Sequence, residues 1–301
     1  MSNTDAVITS YNQGDMVFEA VRSLSGQTML PKNVIIIDDG SSDEHSLDVL
    51  QKLETAADLP FCLKIYDQNN SGVSAARNNG IRKTSAPFVL VLDGDDRLEP
   101  RYIEDVSALL ESDQTMVAAS SYLKTFGVLN AVVCPAGGSI VPFLSRNCCP
   151  ASSIFRREAY DKCGGYDESM HSGFEDWDFF ISLLETDSDS HIGIAESPLI
   201  DYRTSPASSN VKSMEKRLTI MRYMIEKHKS SYSGHLTDAL LGIEAISDAR
   251  LGFWEDEISN TLKSGHEISD AAKAFINSPS YGDGGMAAAV RISSPLKKHE
   301  Y

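Results

Sequence analysis

The chain has 301 residues, 42% of them hydrophobic and 23% charged, which is ordinary globular usage. That length suits two domains, or one large α/β domain with an appendage, and excludes a disordered, collagenous or coiled-coil protein. Lys and Arg number 27 against 43 Asp and Glu, a net charge of −16. Such a balance argues against a nucleic-acid partner bound through phosphate neutralisation, and against whole-surface docking on anionic lipid. The five cysteines, Cys62, Cys134, Cys148, Cys149 and Cys163, are odd in number and include an adjacent pair. They form no C-x-x-C spacing, so neither a disulfide framework nor a zinc site is expected. The opening residues Met1 to Asp5 lack the basic start of a signal peptide. No uncharged apolar run reaches the ~18 residues that span a bilayer. The expectation is a cytoplasmic protein with reduced thiols.

The first hundred residues alternate strand and helix signals. Ala6-Val7-Ile8-Thr9 is a short apolar run, closed by Ser10-Tyr11-Asn12-Gln13-Gly14. Met16, Phe18, Ala20, Val21 and Leu24 then recur with helical spacing. Val34-Ile35-Ile36-Ile37 is β-branched throughout, as in a strand covered on both faces, and ends in Asp38-Asp39-Gly40. Ser41, Ser42 and Asp43 offer caps for a helix carrying Leu47, Val49, Leu50 and Leu53. Leu63 to Tyr66 predicts a third strand, Val73 to Ile81 a helix, and Phe88 to Leu92 a fourth strand stopped by Asp93-Gly94-Asp95-Asp96. This βαβαβ order predicts a mostly parallel central sheet flanked by helices, with right-handed crossovers. Further strands are expected over Met116–Tyr122, Ala151–Phe155 and His191–Tyr202, and a helix over Asp176–Glu185. Beyond Ser205 the spacing predicts helices over 214–227, 235–246 and 253–262, then a loose end from Ser278. The expected division is a catalytic domain at 1–205, a helical extension at 206–280 and a flexible tail at 281–301.

Ligands on open parallel sheets lie beyond the carboxyl ends of the strands. Three polar clusters belong there: Tyr11-Asn12, Asp38-Asp39 and Asp93-Gly94-Asp95-Asp96. Residues i and i+2 at a strand end point the same way, so Asp93 and Asp95 converge. Two such carboxylates repel unless a hard divalent cation such as Mg²⁺ or Mn²⁺ joins them; the bland alternative is a polar turn. Asp38 and Asp39 suit a base N–H or a ribose hydroxyl, or equally a helix cap. Arg77, in the small-residue stretch Gly72 to Gly80, suits a phosphate on the rim or an ion pair with the aspartates there. In Gly173-Phe174-Glu175-Asp176-Trp177-Asp178, acids suit a first helical turn. Trp177 could offer an apolar platform to a sugar ring, and Asp176 a general base.

Taken together, these segments resemble the family 2 glycosyltransferases of the GT-A fold. The resemblance rests on Val7 to Asn12, Ile36 to Asp43, Gly72 to Gly80 with Leu92 to Asp96, and Gly164-Gly165-Tyr166-Asp167 before Glu175-Asp176-Trp177. It spans residues 4 to 205. It implies an inverting transfer of a sugar from a nucleotide-sugar donor, UDP-linked by preference, to a sugar or glycoconjugate acceptor in cell-surface polysaccharide synthesis. It implies that Thr9, Tyr11, Asp38 and Asp39 hold the nucleotide, that Asp93 addresses the ribose and that Arg77 supports the diphosphate. It further implies Asp95 as ligand to Mn²⁺ or Mg²⁺, Asp176 as catalytic base, and Glu175 with Trp177 at the acceptor. One departure is plain: some members carry a His soon after a Tyr-Arg pair, whereas Tyr202-Arg203 is followed here by Thr204-Ser205-Pro206. A pyrophosphorylase lacks support because no Gly-rich, Arg-containing loop follows the first strand. A dinucleotide dehydrogenase would need G-x-G-x-x-G there. A non-catalytic nucleotide-sugar-binding module is the alternative from another class. The C-terminal helices suit a peripheral membrane contact or a homodimer.

Overall fold

The computed structural model describes residues 2–205, 213–279 and 284–293. The chain separates into two compact units, Met1–His235 and Leu236–Tyr301. In the first, the expected apolar runs become β1 (Thr4–Ser10), β2 (Asn33–Asp38), β3 (Cys62–Asp67) and β4 (Phe88–Asp93). The crossovers are α1 (Asp15–Ser25), α2 (Glu44–Glu54) and α3 (Val73–Arg82). The side chain of Asp43 caps α2 by accepting from the Ser46 N–H at 3.0 Å.

The chain continues through β5 (Arg97–Leu98), α4 (Tyr102–Ser112), β6 (Met116–Gly127), β7 (Val132–Val133), α5 (Ile140–Phe143) and β8 (Ser153–Arg156). Then follow α6 (Arg157–Cys163), α7 (Glu175–Leu184), β9 (His191–Thr204), α8 (Arg217–Lys227) and α9 (Lys229–Gly234). One nine-stranded sheet runs in the order β3-β2-β1-β4-β8-β6-β9-β5, with β7 paired to β6. β1 to β4 are mutually parallel, as the βαβ order demands. β8 enters antiparallel between β4 and β6, and β9 then lies parallel to β6.

Strand alternation divides the core in two. Val7, Ile35, Ile37, Val89 and Val91 face Ala76, Ile81, Phe179 and Phe180. Ala6, Ile8, Val34, Ile36, Leu90 and Leu92 face the helix residues Val17, Val21, Leu50 and Val106 on the other side. α3 sits hard on the sheet: a Cβ on Gly80 would lie 2.4 Å from Val7 Cγ1. That close approach is why the helix reads Ala75-Ala76 and Gly80 on its inner face.

The second unit holds α10 (Leu236–Lys263), α11 (Asp270–Asn277) and α12 (Gly285–Ser293). Two expected helices, at 235–246 and 253–262, are one continuous α10, because Gly252 does not take the left-handed backbone that ends a helix and α10 runs through it. Within the expected loose end, α12 is helical, and Arg291 forks onto Glu255 at 2.6 and 2.7 Å. Residues 206–212, 280–283 and 294–301 of the expected extension and tail lie outside the described residues. α8 and α9 belong to the first unit, whose limit is His235 where the sequence suggested Ser205. Among the described residues, no helix is long and apolar enough to cross a membrane.

Asp5 is a charged residue inside the first unit, fully buried. Its carboxylate accepts from Asn33 Nδ2 at 2.7 Å and from the backbone N–H groups of Ser85 and Ala86, both at 2.8 Å. It ties β1 to the start of β2 and to the turn before β4. Asp5→Ala strands those donors, and urea unfolding should show a loss of about 3 kcal/mol.

Candidate active site

The carboxyl ends of three strands meet on one rim. Parallel register sets Thr9 beside Asp93 and Ser10 beside Asp38. The loops after β1 and β2 are laced together. The Asn12 N–H donates to Ser41 Oγ at 2.8 Å, and Asn12 Oδ1 accepts from the Ser42 N–H at 2.8 Å. Asp38 accepts from Ser41 Oγ at 2.5 Å. Asp39 accepts from Gln68 Nε2 and the Ser71 N–H, each at 2.8 Å, and from the Gly72 N–H at 2.9 Å. Both carboxylates are buried and brace loops. Thr9 reaches the next cluster through its carbonyl, which accepts from the Gly94 N–H at 3.1 Å. Tyr11 stands half exposed on the rim.

The turn after β4 is packed under this lacing. A Cβ on Gly94 would lie 2.6 Å from the Thr9 carbonyl oxygen and 2.2 Å from Gln13 Oε1. Glycine is needed there for the protein's own packing. Asp96 is buried and accepts from the Arg203 N–H at 2.8 Å, while Arg203 Nε donates to the Asp95 carbonyl at 2.9 Å. The end of β9 thus clamps the acidic turn. Among the described residues no side chain donates to the Asp95 carboxylate. Burial, then the charge of Asp93, raises its pKa to about 6.

Arg77 is 2% exposed. Its NH2 group donates to Asp93 Oδ1 at 2.7 Å and its NH1 group to Glu175 Oε1 at 2.9 Å. The Tyr166 ring lies 5.2 Å from its guanidinium carbon. Burial works against the charge, but Asp93 and Glu175 outweigh it and hold the guanidinium protonated. Of the two roles open to Arg77 in the sequence, the structure shows the ion pair with the rim acids. It is a strut, not an arm extended to solvent.

α7 begins at Glu175, preceded by Phe174 at a φ of 64°, a left-handed conformation that costs a non-glycine residue. The Phe174 ring packs on Trp177 at 5.5 Å. Asp176 keeps a partly accessible surface. Burial, then Glu175, raises its pKa, against the opposing pull of Arg77. Asn147 Nδ2 donates to Asp176 Oδ2 at 2.9 Å. Trp177 is 2% exposed and its Nε1 donates to the Phe143 carbonyl at 2.6 Å. The expectation of a sugar platform at Trp177 is therefore corrected: the indole belongs to the core, facing inward from the first turn of α7. Two residues past Asp176, the fully buried Asp178 accepts from Lys227 Nζ at 2.6 Å and pairs with His228 Nε2 at 3.0 Å. Lys227 also reaches Asp167 at 2.9 Å, and His228 Nδ1 pairs with Glu185 at 2.8 Å.

Asp93, Asp95, Asp176, Glu175 and Arg77 therefore form one charged cluster, and Asp39 braces the loop leading into the helix of Arg77. Sequence reasoning missed Asn147, Tyr166, Asp96 and Arg203. Asp96, Tyr166 and Arg203 lay inside quoted motifs without being assigned a role, and nothing local marked Asn147.

A parallel half-sheet with an acidic rim beyond its strand ends, facing an acid pair at a helix start, defines an α/β architecture suited to a nucleotide-linked substrate. The profile of glycosyl transferase family 2 matches residues 5–164, and the chain belongs to that family: it is a glycosyltransferase. Among curated relatives, the uncharacterized glycosyltransferase YwdF of Bacillus subtilis (strain 168) is 26% identical over 232 residues, covering 74% of this chain and 82% of YwdF. Chondroitin synthase of Escherichia coli is 29% identical over 191 residues, 62% of this chain and 27% of that protein. The chain thus spans most of the first relative and about a quarter of the second. In fold it is similar to S. aureus TarS 1-349 in complex with UDP-GlcNAc, with a TM-score of 0.60 at 14% identity, over 99% of this chain and 92% of that one.

Two predictions follow from the charges. Arg77→Met leaves Asp93 and Glu175 facing each other without a cation, and denaturant melts should register a loss of about 3–5 kcal/mol. For His228, burial lowers the pKa, but hydrogen bonds to Asp178 and Glu185 outweigh it and raise it above the ordinary value. Its stabilisation is complete below the unfolded pKa of about 6.5 and is lost as pH rises through the folded value. Stability measured across that window should fall in the native protein and change less in His228→Gln.

Proposed function

We propose that this glycosyltransferase moves a sugar with inversion from a nucleoside-diphosphate donor, UDP-linked by preference, to a hydroxyl of a cell-surface polysaccharide or glycoconjugate. The observation that carries the reading is the single acidic cluster built around Arg77, with Asp95 on the strand-end side and Asp176 on the helix side. The UDP-GlcNAc bound by TarS and the polysaccharide named in chondroitin synthase support the donor and acceptor classes. A reducing, cytoplasmic setting suits five cysteines that are odd in number and lack C-x-x-C spacing.

A sugar hydroxyl is a weak nucleophile. Asp176 accepts its proton as the oxygen attacks the anomeric carbon and the donor's sugar–phosphate bond breaks. Its raised pKa suits a base better than an ordinary carboxylate would. Glu175, fixed by Arg77, lines the acceptor side. Thr9, Tyr11, Asp38, Asp39 and Asp93 border the nucleotide.

The donor set fits a divalent cation. No side chain among the described residues donates to the Asp95 carboxylate, and burial, then the charge of Asp93, raises its pKa. Among the described residues no group of three His, Cys, Asp or Glu side chains forms a cage. A hard cation held by Asp95 would complete its shell with diphosphate oxygens and water. When bound, Mn²⁺ or Mg²⁺ would supply charge to the leaving diphosphate.

Calorimetry of UDP with and without Mn²⁺, beside turnover of a UDP-sugar panel, tests the reading. Asp176→Asn should retain UDP binding while kcat falls roughly 10²–10⁴-fold. Asp95→Ala should lose the Mn²⁺-dependent gain in UDP affinity. In the native enzyme, kcat should fall on acidification through a midpoint above the ordinary Asp value of about 3.9. Near-native turnover by Asp176→Asn would remove that residue as the base.

A further inference from the structure

Asp176 has two carboxylate oxygens, and a base that turns freely would offer either of them in many directions. Oδ2 is engaged by Asn147 Nδ2 at 2.9 Å. The amide of Asn147 is itself oriented. Its Oδ1 accepts from the Cys149 N–H at 3.2 Å, so its NH₂ group is the end that faces Asp176. The loop carrying it is fastened on both sides. The buried Cys148 accepts at its carbonyl from the Gly137 N–H at 3.0 Å. Just upstream, the Phe143 carbonyl takes the Trp177 indole N–H at 2.6 Å. The residue after the base is thus bolted to the same segment that carries the amide touching the base.

We infer that Asn147 is a positioning residue, which holds Oδ2 of Asp176 and leaves Oδ1 to receive the acceptor's proton. The inference rests on Asp176 being the base. In the step it serves, the acceptor O–H proton passes to Oδ1 as the new glycosidic C–O bond forms. The donor's C–O bond to phosphate breaks, and the nucleoside diphosphate leaves with that electron pair. Asp176 is faced by Glu175, Asp93, Cys149, Tyr166, Tyr202 and Arg77. Of these, only Arg77 favours its ionised form. The Asn147 N–H adds a neutral donor that also favours the carboxylate.

Asn147→Asp keeps the shape and the acceptor for the Cys149 N–H but sets a second carboxylate against Asp176. Asn147→Ala removes the contact altogether, and Asn147 is exposed, so neither change empties the core. Steady-state kinetics across pH with a UDP-sugar donor, beside thermal melts, should show kcat reduced about ten-fold or more with donor KM unchanged. The acidic limb of kcat should move up, by about one pH unit in Asn147→Asp. A role in packing alone would leave that limb in place. Native kcat and an unmoved limb in both variants, beside an inactive Asp176→Asn, overturn the role of Asn147 alone. Transfer by Asp176→Asn overturns the assignment of the base beneath it.

Discussion

The site depends on one buried guanidinium. Asp93 ends a strand and Glu175 starts a helix, and Arg77 binds both, at 2.7 and 2.9 Å. In a chain of net charge −16, bringing these segments together without a cation would set carboxylate against carboxylate. Arginine suits this place better than lysine. Its planar fork offers separate donors to separate acids, and it stays charged when buried. Beside this strut, burial, and then the charge of Asp93 on Asp95 and of Glu175 on Asp176, raises the pKa of both acids. The strut fixes the geometry of the cluster and gives its own hydrogen bonds to Asp93 and Glu175, not to Asp95 or Asp176.

The parallel half of the sheet was legible because its evidence is local. Four apolar runs, each closed by polar residues, with helical spacing between them, leave little choice of topology. The convergence of Asp38, Asp39 and Asp93 on one rim followed from that topology without knowledge of any contact. Side-chain direction was not legible. Trp177 reads as a platform in isolation, and only the position of α5 makes it a core residue. Arg77 reads either as an arm to a phosphate or as an ion-pair partner of the rim aspartates, and the arrival of Glu175 from far along the chain completes the second reading as a strut. Asn147 has no signature, because its partner lies 29 residues away.

The middle of the chain was hard to parse for a related reason. β8 is short and antiparallel between β4 and β6, and β6 carries register shifts against β9. Such pairings obey no sequential rule. They nevertheless matter to the site, since the long β9 delivers Arg203 to the turn of Asp95 and Asp96. The positive charge at Arg203 reaches that turn from beside a strand end, where a motif search would look only for a metal ligand.

α7 shows how one helix gives different fates to chemically identical residues. Asp176 and Asp178 are two positions apart, about 200° around the helix axis, so they face nearly opposite ways. Asp178 points into protein and is met by Lys227 and His228. Asp176 points to the accessible side, where it meets a neutral amide and a crowd of acids, with Arg77 already shared between two other carboxylates. The cations on the buried face let a charged residue hold the helix in place. On the open face, among the described residues, no side-chain cation bonds Asp176 directly, and burial, then Glu175, raises its pKa. Swapping the two environments would anchor the helix through Asp176 and leave the proposed base without an open carboxylate, so the surroundings and not the residue type set the two aspartates apart.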